Sequence, residues 1–352
     1  MFEPIKNLKK DFNLWQKALK LIPGGNMLYS KNPDRFLKNF WPPYFSKTDG
    51  CHIWTLNNEK FLDFSLMGVG TNILGYRNKS VDSAVKKIIK KGNLSSLNCP
   101  EEVELAEKLV KMHPWSDMAR FARTGGEANS IAIRIARAST QKTNIAFCGY
   151  HGWHDWYLSS NLNKKNKLEG FKTKGVPSAL KNTSFPFEYG KIESLKQLIK
   201  RRNIGIIKME VCRNSLPDIS FLKSVKLLAK KNKIILIFDE CTSGFRENYG
   251  GLHMKLGIFP DLAIFGKALG NGYAITAVIG KKKFMKNTTK TFLSSTFWTE
   301  RIGPAAAIAT LNEMKKTKSW KKITKNGKLV RKEIQKIAKK NDLKVKFFGL
   351  PS

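Results

Sequence analysis

The sequence predicts an α/β fold built on a mainly parallel sheet, arranged as two domains or as one large domain with an appendage. Three observations carry that expectation. From about residue 120 onward, short apolar runs alternate with helical patterns, as they do when crossover helices join parallel strands. The chain has 352 residues, more than one small domain needs. Hydrophobic residues make up 41% and aromatic residues 11%, which supplies a sizeable core and excludes a disordered chain.

Along the chain, residues 1–45 are mixed, with a turn signal at Ile22-Pro23-Gly24-Gly25. The first residues lack the basic-then-apolar layout of a signal peptide, and no apolar run approaches the ~20 residues that span a bilayer. Residues 51–64 read as a hairpin of two alternating strands around Asn57-Asn58. Residues 101–112 have the 3.6-residue period of an amphipathic helix, with acids in its first turn. The candidate strands beyond are 144–148, 204–209, 233–238, 261–265 and 276–279, with helices at 127–138 and 221–230 between them. Residues 303–352 read as a long helical region that runs into a strand at 343–348. Parallel sheets place ligands at the carboxyl ends of their strands, so chemistry is expected there.

The net charge of +37, from 64 basic against 27 acidic residues, raises the question of a nucleic-acid partner. Only 12 of the basic residues are Arg and 52 are Lys, whereas specific phosphate and base recognition leans on the Arg fork. Frequent Asn and Ile accompany the Lys, a bias typical of A/T-rich codons; a polyanion-binding surface is the other reading. Five scattered cysteines, none in C-x-x-C spacing, argue against a disulfide framework and for a reducing, cytoplasmic setting.

Four motifs carry chemistry. Gly125 and Gly126 precede a strong helix, which makes them either a phosphate seat of bare amides at a positive helix end or a glycine turn capping that helix. The apolar run 233–238 delivers Asp239 at its end, either as a carboxylate in the ligand crevice or as a cap on the next turn. Lys267 follows another apolar run, between Gly266 and Gly270. Partial desolvation there lowers an amine's proton affinity and makes it nucleophilic toward carbonyls. Neither a P-loop nor a dinucleotide fingerprint fits, because the glycines they require fall on Asp261 and Ile275. Finally, Tyr150, His151, Trp153, His154 and Trp156 follow the run 144–148. No third ligand accompanies the two histidines, so no metal site is expected, and Tyr150 suits a platform for a flat ring. Together the four ask for one ligand with a phosphate, a flat ring, a ring nitrogen needing an acid and a carbonyl needing a lysine. Pyridoxal 5′-phosphate meets all four requirements.

These residues, with Ile22-Pro23-Gly24-Gly25, the run 123–137, Gly149-Tyr150-His151-Gly152, residues 238–246 and above all residues 257–272, resemble the class III aminotransferases, especially the glutamate-1-semialdehyde aminomutase-like branch. The resemblance covers nearly the whole chain. It implies a type I pyridoxal-phosphate aminotransferase fold with a mainly parallel, seven-stranded sheet. The large cofactor domain would span residues 56–300. A small α+β domain would take residues 1–55 and 301–352, its C-terminal part cut short because family members continue beyond Ser352. The resemblance also implies roles. Lys267 would form the internal aldimine and shuttle the proton at the substrate α-carbon, and Asp239 would keep the pyridine nitrogen protonated. Tyr150 and Cys241 would hold the two ring faces, and Gly125 and Gly126 the phosphate. Thr296 would reach the phosphate of a neighbouring subunit, giving a homodimer with shared active sites. Glu210 and His151 would support the site from behind, and Arg246 would be a structural ion-pair partner.

The sequence departs from the family pattern where substrate is chosen. Val211 stands in place of a proline, Cys241 in place of a small aliphatic residue, and Tyr76 in place of a histidine. Residues 26–31 offer Lys31 instead of an arginine fork. The expected reaction is transfer of an amino group between small amino and carbonyl molecules, on a glutamate-1-semialdehyde-like substrate. The rival readings are an aminotransferase of surface-polysaccharide or secondary-metabolite precursors and, from another class, an inactive cofactor binder or a basic polyanion binder. No specific nucleic acid and no membrane are expected as partners.

Overall fold

A computed structural model of the chain describes residues 8–65, 67–163, 168 and 170–352; the first seven residues, on which the reading of a leader falls, lie outside these. After helix α1 (Lys9–Leu21), strands β1 (Lys47–Asp49), β2 (His52–Trp54) and β3 (Lys60–Leu62) form a small antiparallel sheet. Strands β2 and β3 are the hairpin expected around Asn57-Asn58, and β1 adds a third strand. Helices α2 (Lys79–Ile89) and α3 (Pro100–Met112) lead to β4 (Met118–Ala122), α4 (Gly125–Thr140) and β5 (Asn144–Cys148). Next come β6 (Ser184–Pro186), α5 (Ile192–Arg201), β7 (Ile204–Glu210), α6 (Ile219–Lys231) and β8 (Ile235–Asp239). Then β9 (Leu262–Phe265), β10 (Thr276–Gly280), α7 (Ile302–Thr317) and α8 (Ser319–Lys340) follow.

The seven strands β4 to β10 form one sheet in the order β4-β10-β9-β8-β7-β5-β6. Neighbours from β9 to β6 run parallel, and β10 runs antiparallel to both β9 and β4. Helices cover both faces, so the central strands are mostly apolar, and every residue of β7 is buried, Lys208 and Glu210 included. On one face Ile131 and Ile135 of α4 pack on Phe147, Ile206, Ile237 and Ile264. On the other, Phe221 and Val225 of α6 meet Ile207, Met209 and Phe238, while Leu105 of α3 and Leu311 of α7 meet Phe265 and Ala277.

Two strands were not visible in the sequence. Edge strand β4 carries Arg120 among its five residues, and β6 is only three residues long, so neither shows an apolar run. The reverse error lies at the other end: residues 343–348 form no strand. An alternating segment becomes a strand only when a partner supplies ladder hydrogen bonds, and none of the described strands runs beside this one. The helical region expected over 303–352 is two helices, broken where Lys318 takes φ 51°.

Candidate active site

The carboxyl ends of β5, β7, β8 and β9 meet at one place. Strand β8 ends at Asp239, which is buried, and its Oδ1 accepts a hydrogen bond from the Cys241 amide at 3.1 Å. Its Oδ2 accepts from Nδ1 of buried His151 at 2.8 Å. His151 stands in the loop after β5, its other nitrogen facing the Cys148 carbonyl at 3.2 Å. Burial by itself would raise the Asp239 carboxyl, but the Lys208 ammonium and the His151 hydrogen bond outweigh it and hold it well below the usual carboxylate range. Burial, then Lys208, pushes His151 down to about 4.

Glu210 ends β7 in register with Asp239. Its Oε2 accepts from the Tyr150 amide at 2.9 Å and pairs with Arg213 Nη1 at 3.0 Å. It thereby pins the loop that presents Tyr150, whose ring is partly exposed, with the Arg213 guanidinium 5.2 Å from its centroid. Burial raises the Glu210 carboxyl, and Arg213 opposes the rise.

Lys267 opens a short 3₁₀ turn directly after β9, with φ 39°. Its Nζ donates to Thr242 Oγ1 at 3.0 Å. Burial, and then the Arg246 cation, lowers its proton affinity, the direction a nucleophilic amine needs. The Cys241 sulfur packs against the backbone on either side: a Cβ at Gly125 would lie 3.6 Å from it, and one at Gly266 3.2 Å. Cys241 thus links the start of α4 to the strand that delivers Lys267.

The start of α4 is capped by Thr124 and Glu127, each bonding back to the other's backbone. The glycines are therefore first-turn residues, and the cap is not theirs. Their amides make no hydrogen bond among the described residues, the free-donor arrangement that suits an anion. A Cβ at Gly126 would stand 2.7 Å from His154 Nε2, and His154 is held by Ser130 Oγ at 2.8 Å. Trp156 belongs to the core under α4, while Trp153 is exposed.

Thr296 is not brought to this group. It begins an exposed turn, Thr296–Thr299. Arg246 differs from expectation. Among the described residues it has no carboxylate partner; Nε donates to the Thr242 carbonyl and Nη2 to that of Gly70, both at 2.5 Å. Residues Met67 to Gly70 all have positive φ, between 42° and 80°, and this left-handed turn aims a bare carbonyl at the guanidinium. Arg246 and Arg213 line a cavity of about 700 Å³ with Asp63, Asn72, Thr242 and Ser243. Lys208, Arg213 and the partners of Arg246 were not foreseen from the sequence.

The arrangement offers a desolvated amine, a buried carboxylate held ionised, free amides at a helix start and an aromatic ring, all at one edge of one sheet. The aminotransferase class-III family model matches residues 38–347. The chain belongs to the class III aminotransferases. A 3-aminobutyryl-CoA aminotransferase of Cloacimonas acidaminovorans is 34% identical over all of this aminotransferase and 84% of its own length. A glutamate-1-semialdehyde 2,1-aminomutase of Nitrosopumilus maritimus is 36% identical over 87% of the chain and 73% of its own length. Among solved structures, the FumI protein of Sphingopyxis sp. MTA144, in its PLP internal aldimine form, superposes with a TM-score of 0.87 at 25% identity. That match covers 97% of this aminotransferase and 81% of the other chain. The fold is thus the one pyridoxal-phosphate aminotransferases use. The residues fit such a group: Asp239 Oδ1 accepts only a backbone amide, the Gly125 and Gly126 amides are free, and a side chain at Gly126 would collide with the His154 ring beside those amides.

Proposed function

We propose that this aminotransferase moves an amino group between small amino and carbonyl molecules, on a glutamate-1-semialdehyde-like substrate that carries an anionic group. The cofactor is pyridoxal 5′-phosphate, which supplies the electron-withdrawing ring that stabilises negative charge at the substrate α-carbon. The observation that carries the reading is Lys267 itself: a half-buried amine at a strand end, lowered in proton affinity and held by Thr242 beside the Asp239 site.

Lys267 would attack the cofactor carbonyl and, once displaced by a substrate amine, hold and move the proton at the α-carbon. Asp239 would keep the ring nitrogen protonated, since a buried anion favours an adjacent cation. The Gly125 and Gly126 amides would hold the phosphate. Tyr150 and Cys241 would bracket the ring, with Glu210 and His151 fixing Tyr150 and Asp239. The Arg246 guanidinium lines the cavity without a carboxylate partner, which supports an anionic substrate end there. Exposed Thr296 supports a homodimer in which it reaches a neighbouring subunit's phosphate. No described helix is long and apolar enough to cross a membrane; scattered cysteines support a reducing, cytoplasmic setting.

Borohydride reduction of the protein incubated with pyridoxal phosphate tests this. A single adduct on the peptide containing Lys267, absent from Lys267→Ala, is the expected result. An adduct that persists on the variant would reject Lys267. A protein that stays colourless with added cofactor would reject the enzyme reading.

A further inference from the structure

Lys208 lies in the middle of β7 and is completely buried. In the sheet it stands level with Phe147 of β5 and Ile237 of β8, both members of the apolar cluster under α4. Its ammonium nitrogen makes no hydrogen bond among the described residues. Its ion-pair partner is Asp239, with Oδ2 at 3.6 Å. A buried, unbonded ammonium is expensive in stability, so a lysine here calls for an explanation.

His151 supplies it. Its ring lies between two acceptors, Asp239 Oδ2 and the Cys148 carbonyl. An imidazole placed so is set up to carry both protons and become the cation that Asp239 needs. Lys208 already occupies that role against the same oxygen, and two cations on one carboxylate in a dry site repel each other. The other ionisable groups facing this point are Glu210, on the same strand and paired with Arg213, the Cys241 thiol, which burial and then Asp239 keep protonated, and Tyr157, whose ring centroid lies 5.7 Å from that of His151. Burial lowers the proton affinity of Lys208 itself, and Asp239 opposes the fall.

We propose that Lys208 is a positioning residue: the buried cation opposite Asp239, which together with burial keeps His151 neutral so that the charge around Asp239 stays constant across neutral pH. Completely buried, Lys208 acts through Asp239. The consequence for cofactor binding rests on the reading above that Asp239 faces the ring nitrogen; the charge arrangement does not.

The experiment is a proton NMR titration of the imidazole Cε1–H resonances in the cofactor-free protein. There are five histidines, and His151→Asn assigns the one in question. In the unmodified protein the His151 resonance should not titrate between pH 5.5 and 8.5. In Lys208→Met, similar in length and uncharged, its midpoint should rise from about 4 by at least two pH units, to pH 6 or above. Pyridoxal-phosphate affinity, measured by calorimetry, should then bend at that pH, where the unmodified protein shows no such bend. A His151 that titrates at or above pH 6.5 in the unmodified protein overturns the proposal, and so does an unmoved His151 in a folded Lys208→Met. If the variant does not fold, the unmodified protein's titration decides alone. A lysine with only a structural role would change the melting temperature and leave the His151 titration where it was. Because the NMR measurement needs no cofactor, its failure is distinct from a missing adduct at Lys267.

Discussion

Asp239 accepts hydrogen bonds through both oxygens and has Lys208 behind it, so removing its charge affects more than the cofactor. Asp239→Asn would leave the Lys208 ammonium buried without a counter-charge. Breaking a buried pair on one side costs about 3–5 kcal/mol, and that loss should appear as a lower melting temperature even without cofactor. Turnover should fall by roughly 100-fold or more, as when a preorganised charge partner is removed; a loss of turnover with an unchanged melting temperature would contradict the pairing. Asp239 and Lys267 were legible in the sequence because each ends an apolar run, and such ends converge on one edge. Lys208 was not, because a single lysine inside an apolar strand says nothing of its surroundings. Pairing with β5 and β8 decides them. The partners of Arg246 were hidden for a related reason: a left-handed turn at 67–70, distant in sequence, supplies one of the carbonyls it holds.

At the scale of elements, the start of α4 is where a small change should tell most. In Gly126→Ala the new methyl would meet His154, and displacing that ring breaks its bond to Ser130. Pyridoxal-phosphate affinity should drop by about tenfold, which is about 1.4 kcal/mol, with a smaller effect on the melting temperature of the cofactor-free protein. Equal binding by variant and parent in a calorimetric titration would remove the glycine from the phosphate seat. The long helices and central strands were visible because their periodicity is local. The pieces that escaped, β4 and β6, lie at or near a sheet edge, where fewer positions need to be apolar. The false strand at 343–348 shows the converse: alternation alone does not supply a neighbour.

For the whole molecule, buried histidines set the response to acid. His113 accepts from the Gly251 amide and faces the Leu109 carbonyl, and burial pushes it down to about 4, as burial and Lys208 do His151. In the unfolded chain both return to about 6.5, where they take up protons that the folded protein refuses. The stability these two histidines contribute is therefore fully present above pH 6.5 and is lost as the pH falls toward 4, about 3 kcal/mol for each. Thermal melts at pH 7 and pH 4.5 measure this; an equal or higher melting temperature at pH 4.5 would contradict it. The excess of lysine, by contrast, is a matter of surface: most lysines lie exposed on helices such as α8.

The pairing of β4 with β10 has a consequence for synthesis. The first strand of the large sheet is hydrogen-bonded to the last, and Thr276 Oγ1 reaches back to the Thr124 carbonyl across 152 positions. As the chain leaves the ribosome, β4 waits without a neighbour until β10 emerges. The phosphate seat, directly downstream of β4, is consequently fixed among the last parts of the site, after the strands carrying Asp239 and Lys267 have been made. A nascent chain halted before residue 276 should accordingly expose an open sheet edge, bind a chaperone and fail to retain pyridoxal phosphate, whereas one released just beyond the end of β10 should have that edge closed.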